Sequence, residues 1–344
     1  MVKEPLRLMG ARGVAVRGFF VSGFVNVLFA LALAGQLGAC ASLSNQPRNE
    51  VRVRVGPEPE RAYRAEPYAA LYAPYAMMSS LAYAERDNLN RDLCPEPALF
   101  DRHNDAQAIA WIRSLNGKKW QCVFGLSETL PCPHRYRDCN PLGVPDLQVW
   151  RRDNPSCNEL VIAFRGIKLM DPSDWSYFRW LLPRLDENES MQARVEDIAT
   201  KTGCRRAGTK IIAVGHSLGG GLAEETAYAN RRIRYVYAFN AFPVAGFVGA
   251  DSSVPARNKI GLVVENVYEA GEILDIPRLL LKGPATSCNP QIRTVQFNLV
   301  PFGLPIEKHR IDTLTINMLE LSRHGISAPS AEGYRRAAQC VAPL

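Results

Sequence analysis

Short apolar runs separated by longer polar or amphipathic stretches dominate the middle of the chain. Each run is only a few residues long, which is typical of a buried strand rather than a helix. The first two runs flank Asp-Asn-Pro at 153–155, a sequence typical of a hairpin turn, and residues 188–200 have helical character. Strands that alternate with helices favour an α/β fold with a central, mostly parallel sheet flanked by helices. The runs are Leu147–Arg152, Glu159–Phe164, 211–214, 235–239 and 263–270.

The run at 211–214 continues into Gly-His-Ser-Leu-Gly at 215–219, which matches the G-x-S-x-G motif. In this motif a serine occupies a tight strand-to-helix turn that exposes its Oγ, and glycines let the helix cross close to the strand. A phosphate-binding loop would need Lys and Ser or Thr where the chain has Gly221 and Leu222. The pattern therefore predicts Ser217 as a nucleophile, with the backbone N–H of Leu218 directed at an oxyanion.

Charge and composition exclude some function classes. The formal net charge of the 344 residues is +7, and residues 1–17 contribute +3 of it with four basic residues and one acidic residue. The remaining +4 is too small to indicate a nucleic-acid partner. Hydrophobic residues make up 47% of the chain, which is enough for the core of a single large catalytic domain.

The N-terminal region has the pattern of an export signal. Residues 18–35 are apolar except for Ser22 and Asn26, and they are followed by Leu-Gly-Ala-Cys at 37–40. The four residues at 37–40 resemble the lipobox of bacterial lipoproteins. The resemblance implies removal of signal peptide 1–39, lipidation of Cys40 and sorting to the outer membrane of the cell envelope. The alternative is an uncleaved transmembrane anchor, for which the apolar run is marginal in length.

Residues 40–67 are rich in Pro, Arg and Glu and predict a flexible tether, despite an alternating Val-Arg-Val-Arg-Val stretch at 51–55. The catalytic domain is predicted to span 68–344. It would begin with a core-facing helix, because apolar residues recur there at helical spacing. They are Tyr75, Met78 and Ala82.

Eight cysteines remain when Cys40 is set aside, an even number in a chain that we expect to be exported. Disulfides are the expected use, although the sequence does not assign the pairs. Cys132, His134 and Cys139 lie close together, but no second pair at metal-ligand spacing accompanies them, so a disulfide-closed loop is favoured over zinc. We predict neither a metal nor a cofactor. The eight are Cys94, Cys122, Cys132, Cys139, Cys157, Cys204, Cys288 and Cys340.

The order of motifs resembles the class 3 lipases of the α/β-hydrolase superfamily over about residues 68–322. The chain has Phe-Arg-Gly at 164–166, Asp-Trp at 174–175, a helical stretch, and then Gly-His-Ser-Leu-Gly-Gly. The resemblance implies an α/β-hydrolase fold, a serine triad and acyl-lipid ester substrates. It also makes the residue after Phe-Arg-Gly the second oxyanion donor. Here that residue is Ile167, which keeps the backbone N–H but lacks the hydroxyl of the usual Thr or Ser.

Two carboxylates compete for the role of triad acid. The α/β-hydrolase order is Ser, acid, His, with the acid at the carboxyl end of a strand. The run at 263–270 is followed by Gly-Glu-Ile-Leu-Asp-Ile-Pro-Arg at 271–278, where the resembling lipases have Gly-Asp-(Ile/Pro)-Val-Pro-Arg. Aligning the glycine selects Glu272, whereas aligning Pro-Arg selects Asp275. We favour Glu272 because it lies closer to the end of the strand.

His309 is the predicted base. It follows the 301–305 loop and is expected to open a helix with Ile311, Leu314, Met318 and Leu321 on one face, and the family also places its base there. The competing histidines lie inside the elbow, before the sheet, in the cysteine loop or at a helix end. They are His216, His103, His134 and His324.

Together these residues predict a lipid-anchored serine ester hydrolase. The alternatives are a phospholipase or short-chain esterase with the same triad, and a non-catalytic surface lipoprotein that uses the fold as a binding scaffold. Residues 168–182 carry an apolar face at helical spacing, where the resembling lipases have a mobile lid. The alternative is that this face packs permanently on the sheet. The face consists of Trp175, Phe178, Leu181 and Leu182.

Overall fold

The structure of the protein is a computed structural model. All described residues belong to one compact unit, Ser42–Leu344. The described residues are 46–83, 106–126, 147–152, 157–166, 188–242, 256–276, 278 and 290–323.

Strands from the described residues form one mixed sheet with the order β2-β1-β9-β8-β7-β6-β5-β4-β3. The five strands β5 to β9 are mutually parallel, and the strands beyond them on both sides are antiparallel. The strands are β1 (Glu50–Val55), β2 (Arg61–Arg64), β3 (Trp120–Leu126), β4 (Leu147–Arg152), β5 (Glu159–Phe164), β6 (Lys210–His216), β7 (Ile233–Phe239), β8 (Val263–Glu269) and β9 (Gln291–Phe297).

Helices cover both faces of the parallel part of the sheet. The described helices are α1 (Ala65–Leu81), α2 (Ala106–Gly117), α3 (Asn188–Lys201), α4 (Leu218–Ala229), α5 (Ala256–Lys259), α6 (Pro305–His309) and α7 (Ile311–Ser322). On one face α1 and α7 pack on each other and share a core with Ile212 and Val214 of β6. Ile211 and Ala213 are equally buried and point to the opposite face, where α4 packs on β5, β6 and β7.

The predicted α/β fold with a central, mostly parallel sheet flanked by helices is confirmed. The hairpin of β4 and β5 is antiparallel, with Leu147 opposite Phe164. The strand before the glycine-rich turn is buried along almost its whole length, because helices cover it on both sides.

The predicted flexible tether over 40–67 is wrong for its described part. Strand β1 pairs with β2 on one side and with β9 on the other, where Val53 lies opposite Val295. Val51 and Val53 are buried in the core under α1, while the alternating Arg52 and Arg54 are on the other face of the sheet. The alternating valines therefore form a half-buried strand despite the polar composition around them. The domain begins at or before residue 46 rather than at 68.

The expected disulfides are confirmed for Cys157 and Cys204, whose Cα atoms lie 5.5 Å apart. This bond links the segment that enters β5 to the segment that enters β6. Cys122 in β3 is also disulfide-bonded. Within the described residues no helix has both the length and the apolar character needed to cross a membrane. Residues 1–39, Cys40 and the predicted lid at 168–182 lie outside the described residues.

Replacing Val53 with Asp tests whether β1 is part of the core. We expect Val53→Asp to lower the free energy of unfolding in urea by about 3 kcal/mol or more, because it buries a carboxylate without a partner. Arg52→Ser is the matched control, since it removes only an exposed ion pair with Glu60 and should change stability by less than about 1 kcal/mol. Similar small effects of both substitutions would mean that β1 contributes no core packing in solution.

Candidate active site

Ser217 lies in the turn between β6 and α4 in a backbone conformation that serine rarely adopts. Its φ is 55° and its ψ is −125°. Two hydrogen bonds hold the turn against the adjacent strand. The N–H of Ser217 donates to the carbonyl of Phe239 at 3.0 Å, and the N–H of Phe242 donates to the carbonyl of Ser217 at 3.0 Å. The end of β7 therefore fixes a strained residue in place, which is a frequent property of functional sites.

Two glycines of the motif are required by the close approach of α4 to the sheet. A Cβ at Gly215 would lie 2.7 Å from the backbone nitrogen of Gly220, and a Cβ at Gly219 would lie 2.8 Å from the carbonyl carbon of Arg165. Real Cβ atoms do not approach backbone atoms this closely. The backbone contact brings the N-terminal end of α4 up to the ends of β5 and β6.

Ser217, His309 and Glu272 form one hydrogen-bonded chain. The hydroxyl of Ser217 donates to His309 Nε2 at 3.1 Å, and His309 Nδ1 donates to Glu272 Oε2 at 2.5 Å. All three side chains are buried. They follow β6, β8 and β9, whose carboxyl ends meet at one edge of the sheet because these strands are parallel. His309 ends the short helix α6 instead of opening a long helix as predicted, and α7 begins two residues later.

Glu272 is held as a carboxylate by its neighbours. Burial alone would raise its pKa, but the guanidinium of Arg278 and the ring of His309 outweigh burial and lower the pKa of Glu272 to about 2. Arg278 donates to Oε1, and the N–H of Leu274 donates to Oε2 at 2.9 Å. An ionised Glu272 accepts the proton on His309 Nδ1. The lone pair of Nε2 then faces Ser217, as a general base requires.

Asp275, the other predicted acid, contacts Arg278 and the backbone instead of His309. Its Oδ1 accepts a hydrogen bond from Arg278 at 3.0 Å, and its Oδ2 accepts one from the N–H of Gly271 at 2.6 Å. Burial and then the negative charge of Glu272 raise the pKa of Asp275 from 3.8 to about 6. The two carboxylates therefore share one guanidinium, but only Glu272 reaches the imidazole.

The backbone carbonyl of His309 is a second point at which this residue is held. His216 Nε2 donates to that carbonyl at 2.6 Å, and Tyr83 donates its hydroxyl proton to His216 Nδ1 at 2.9 Å. Burial and then the proximity of His309 lower the pKa of His216 to about 3. His216 is therefore neutral at physiological pH. Its ring hydrogen-bonds to Tyr83 and to the backbone carbonyl of His309, so both ring nitrogens have partners other than Ser217.

Asn240, which the sequence analysis did not single out, joins three segments of the site. Its Nδ2 donates to the carbonyls of Lys308 at 3.1 Å and His309 at 3.0 Å, and its Oδ1 accepts from the N–H of Glu269 at 3.0 Å. Asn240 directly follows β7, at the same edge of the sheet as the serine. A polar residue immediately after a buried strand was the available signal for it.

One of the two predicted oxyanion donors lies among the described residues. Leu218 is the first residue of α4, so its N–H has no acceptor within the helix. Gly166 packs directly against the elbow, since a Cβ on it would lie 2.5 Å from the carbonyl oxygen of His216. Ile167, the next residue and the other predicted donor, lies outside the described residues. Among the residues that are described, no group of three or more His, Cys, Asp or Glu side chains could hold a metal ion.

The fold and this geometry define an α/β protein with a buried serine, histidine and glutamate chain at a strand-to-helix turn. No protein-family model matches the chain, and no curated protein matches it. A solved structure of a lipase–propeptide complex from Rhizomucor miehei, a deletion mutant, is 14% identical. That match covers 78% of this chain and 80% of that chain with a TM-score of 0.35. A similarity this weak carries no conclusion about function.

The raised pKa of Asp275 predicts a specific pH dependence of stability. A group whose pKa is higher in the folded state stabilises that state below the unfolded pKa, and the contribution is lost as pH rises through the folded pKa. As the pH rises from about 4 to about 6, we therefore expect the free energy of unfolding of the unsubstituted protein to decrease relative to that of Asp275→Asn. The decrease should be at most about 3 kcal/mol. Urea denaturation across this range measures the difference. Parallel pH profiles for the two proteins would contradict it.

Proposed function

We propose that the protein is a lipid-anchored serine ester hydrolase that cleaves carboxylic esters of acyl lipids. One observation carries the proposal. The hydroxyl of Ser217 lies 3.1 Å from Nε2 of His309, whose Nδ1 lies 2.5 Å from Glu272. The serine stands on a strained strand-to-helix turn next to a helix N-terminus. This combination has no evident role in stability, because strain of this kind opposes folding.

In the proposed reaction Ser217 Oγ attacks the ester carbonyl carbon while His309 Nε2 takes the hydroxyl proton. Glu272 stabilises the resulting imidazolium. The negative oxygen of the tetrahedral intermediate accepts hydrogen bonds from the N–H of Leu218 and, by the family resemblance, of Ile167. The bond from carbon to the alcohol oxygen then breaks, and His309 returns its proton to the leaving alcohol. Water attacks the acyl-serine with help from the same histidine, which releases the carboxylic acid and restores Ser217.

We further propose that the domain has the α/β-hydrolase fold and belongs with the class 3 lipases. The order of nucleophile, acid and base along the chain supports this, with each residue following a different parallel strand. Phe-Arg-Gly at the end of β5 and Gly-His-Ser-Leu-Gly-Gly at the end of β6 support it as well. Lipidation of Cys40 and a place at the outer membrane of the cell envelope belong to the same proposal.

The substrate class separates the main proposal from a short-chain esterase. Each methylene buried in an acyl groove adds about 0.8 kcal/mol of binding, so kcat/KM should rise from acetyl through octanoyl esters if a long chain is accepted. A falling series would favour a small pocket and the esterase alternative. Release of fatty acid from phospholipid but not from triacylglycerol would identify a phospholipase.

Ser217→Ala tests the central assignment. We expect the variant to remain folded and to lose roughly 10⁴-fold or more in kcat, because the nucleophile is missing. A fluorophosphonate probe should label the unsubstituted protein at Ser217, as mapped by peptide mass spectrometry. Ser322→Ala at the end of α7 is the control and should retain both labelling and turnover. Hydrolysis by Ser217→Ala at a comparable rate, or no labelling of Ser217, would instead favour a non-catalytic binding protein.

The roles of the two carboxylates can be separated by isosteric amides. Glu272→Gln should lower kcat by roughly 10³–10⁴-fold, because an amide does not stabilise the imidazolium and can hold the wrong tautomer of His309. Asp275→Asn should lower it by about tenfold at most, since Asp275 contacts Arg278 and the N–H of Gly271 but not His309. Steady-state kinetics of both variants, side by side, measures this. A larger loss for Asp275→Asn would reverse the assignment, and two small losses would reject both residues.

A further inference from the structure

We propose that the sheet edge carrying Ser217 and His309 docks on a phospholipid bilayer through the docking loop, defined here as residues 299–304 between β9 and α6. In this arrangement the side chains of Phe302 and Leu304 enter the interfacial layer of the bilayer. The proposal goes beyond ester hydrolysis. It rests on the proposed function in one respect: the lipid anchor at Cys40, which belongs to that proposal, would hold the docking loop near the bilayer.

The docking loop exposes large apolar side chains at the edge of the candidate site. Phe302 is 89% exposed and Leu304 is 59% exposed. Ile276, in the loop that carries Glu272, is 54% exposed. The two loops are joined, because the N–H of Ile273 donates to the carbonyl of Pro305 at 3.2 Å. A single exposed apolar residue needs no explanation, but three on two connected loops at one edge are typical of an interaction surface.

Hydrogen bonds fix the docking loop while the side chains of Phe302 and Leu304 stay outside. The N–H of Val300 donates to the buried carboxylate of Glu269 at 2.8 Å, and the N–H of Gly303 donates to the carbonyl of Val300 at 3.1 Å. The N–H of Leu304 donates to the side chain of Glu307 at 3.1 Å. The side chain of Val300 packs against the core. The loop is thus held by its backbone in a conformation that leaves Phe302 in solvent.

The path of the chain places Gln46, six residues after the predicted anchor, at this same edge. Gln46 donates through Nε2 to the carbonyl of Gln296 at 3.0 Å, and Asn298 donates to the carbonyl of Gln46 at 2.6 Å. Asn298 is only four residues before Phe302. Cys40 precedes Gln46 by six residues, and a chain of six residues spans at most about 20 Å. A lipid on Cys40 would therefore keep the carboxyl end of β9, and the docking loop with it, close to the bilayer.

The opposite edge of the sheet supplies a matched control. Ile260 is 53% exposed, close to the value for Leu304. It precedes β8, so it lies at the amino ends of the parallel strands, whereas the docking loop lies at their carboxyl ends. Docking by the proposed edge would hold Ile260 away from the bilayer.

The test uses the full chain, exported and processed by its own N-terminal signal, purified in detergent and reconstituted into phosphatidylcholine and phosphatidylglycerol vesicles. Phe302→Trp and Ile260→Trp are compared in vesicles with and without bromine on the acyl chains. A side chain at the interface lies about 5–10 Å into the boundary between headgroups and acyl chains, within reach of the bromines. We expect bromine to remove most of the emission added by Phe302→Trp and to leave that added by Ile260→Trp unchanged, after subtraction of the unsubstituted protein.

A kinetic comparison adds a second readout. For Phe302→Ser, the ratio of the rate on a vesicle-borne ester to the rate on a soluble ester should fall roughly tenfold, as expected for loss of one buried aromatic side chain. Ile260→Ser should keep the ratio of the unsubstituted protein. Unchanged ratios for both variants would overturn the role of Phe302.

Equal quenching of the two tryptophan variants, or none for Phe302→Trp, would overturn the proposal. Shielding of Phe302→Trp that depends on protein concentration and not on lipid would identify a second copy of the chain as the occupant, and would overturn it as well. The quenching does not require turnover. A protein that docks by this edge but hydrolyses no ester would reject the proposed function and keep the docking surface.

Discussion

The strained backbone of Ser217 depends on the strands and the helix that pack around it. A residue in such a backbone conformation costs on the order of 1–3 kcal/mol, which the adjacent elements must offset. They do so through the hydrogen bonds from β7 and through the glycine contacts that seat α4 on the sheet. The buried strands on both sides of β6 leave the turn no room to relax. The orientation of the serine hydroxyl towards His309 therefore depends on the whole sheet, and not on the five-residue motif alone.

His309 is held at its ring and at its backbone by different parts of the chain. Glu272 fixes the ring, while His216 and Asn240 fix the carbonyl. These partners lie at or just beyond the carboxyl ends of β6, β7 and β8, so any shift between neighbouring strands would move the imidazole. A neutral His216 is needed here, because a second positive charge beside the imidazolium would oppose its formation. Burial and the proximity of His309 lower the pKa of His216 to about 3, so its ring is neutral at physiological pH and meets that condition.

The parts of the site that depend on local sequence could be predicted, and the parts that depend on distant partners could not. Ser217 and the neighbouring glycines could be predicted because the tight turn restricts which residues can lie next to one another in the sequence. Glu272 and Asp275 remained alternatives because both lie in one loop beside Arg278. Only the folded structure shows which of the two carboxylates contacts His309. Asn240 was missed because its acceptors are 68 and 69 residues away. Strand β1 was mistaken for a tether because its composition is polar and its partner β9 lies far along the chain.

The pairing of β1 with β9 has a consequence for the order in which the protein can fold. Gln46 and Gln296, which meet at the end of this pair, are 250 residues apart in sequence. During synthesis from the N-terminus, β1 can pair with β2 on one side as soon as residues 61–64 have followed, but its other edge has no partner until β9 emerges. That edge stays unpaired for most of synthesis, and contacts of such long sequence separation form slowly. The sheet formed by the described strands is therefore completed only after β9 has emerged, which makes the pairing of β1 with β9 one of the last to form.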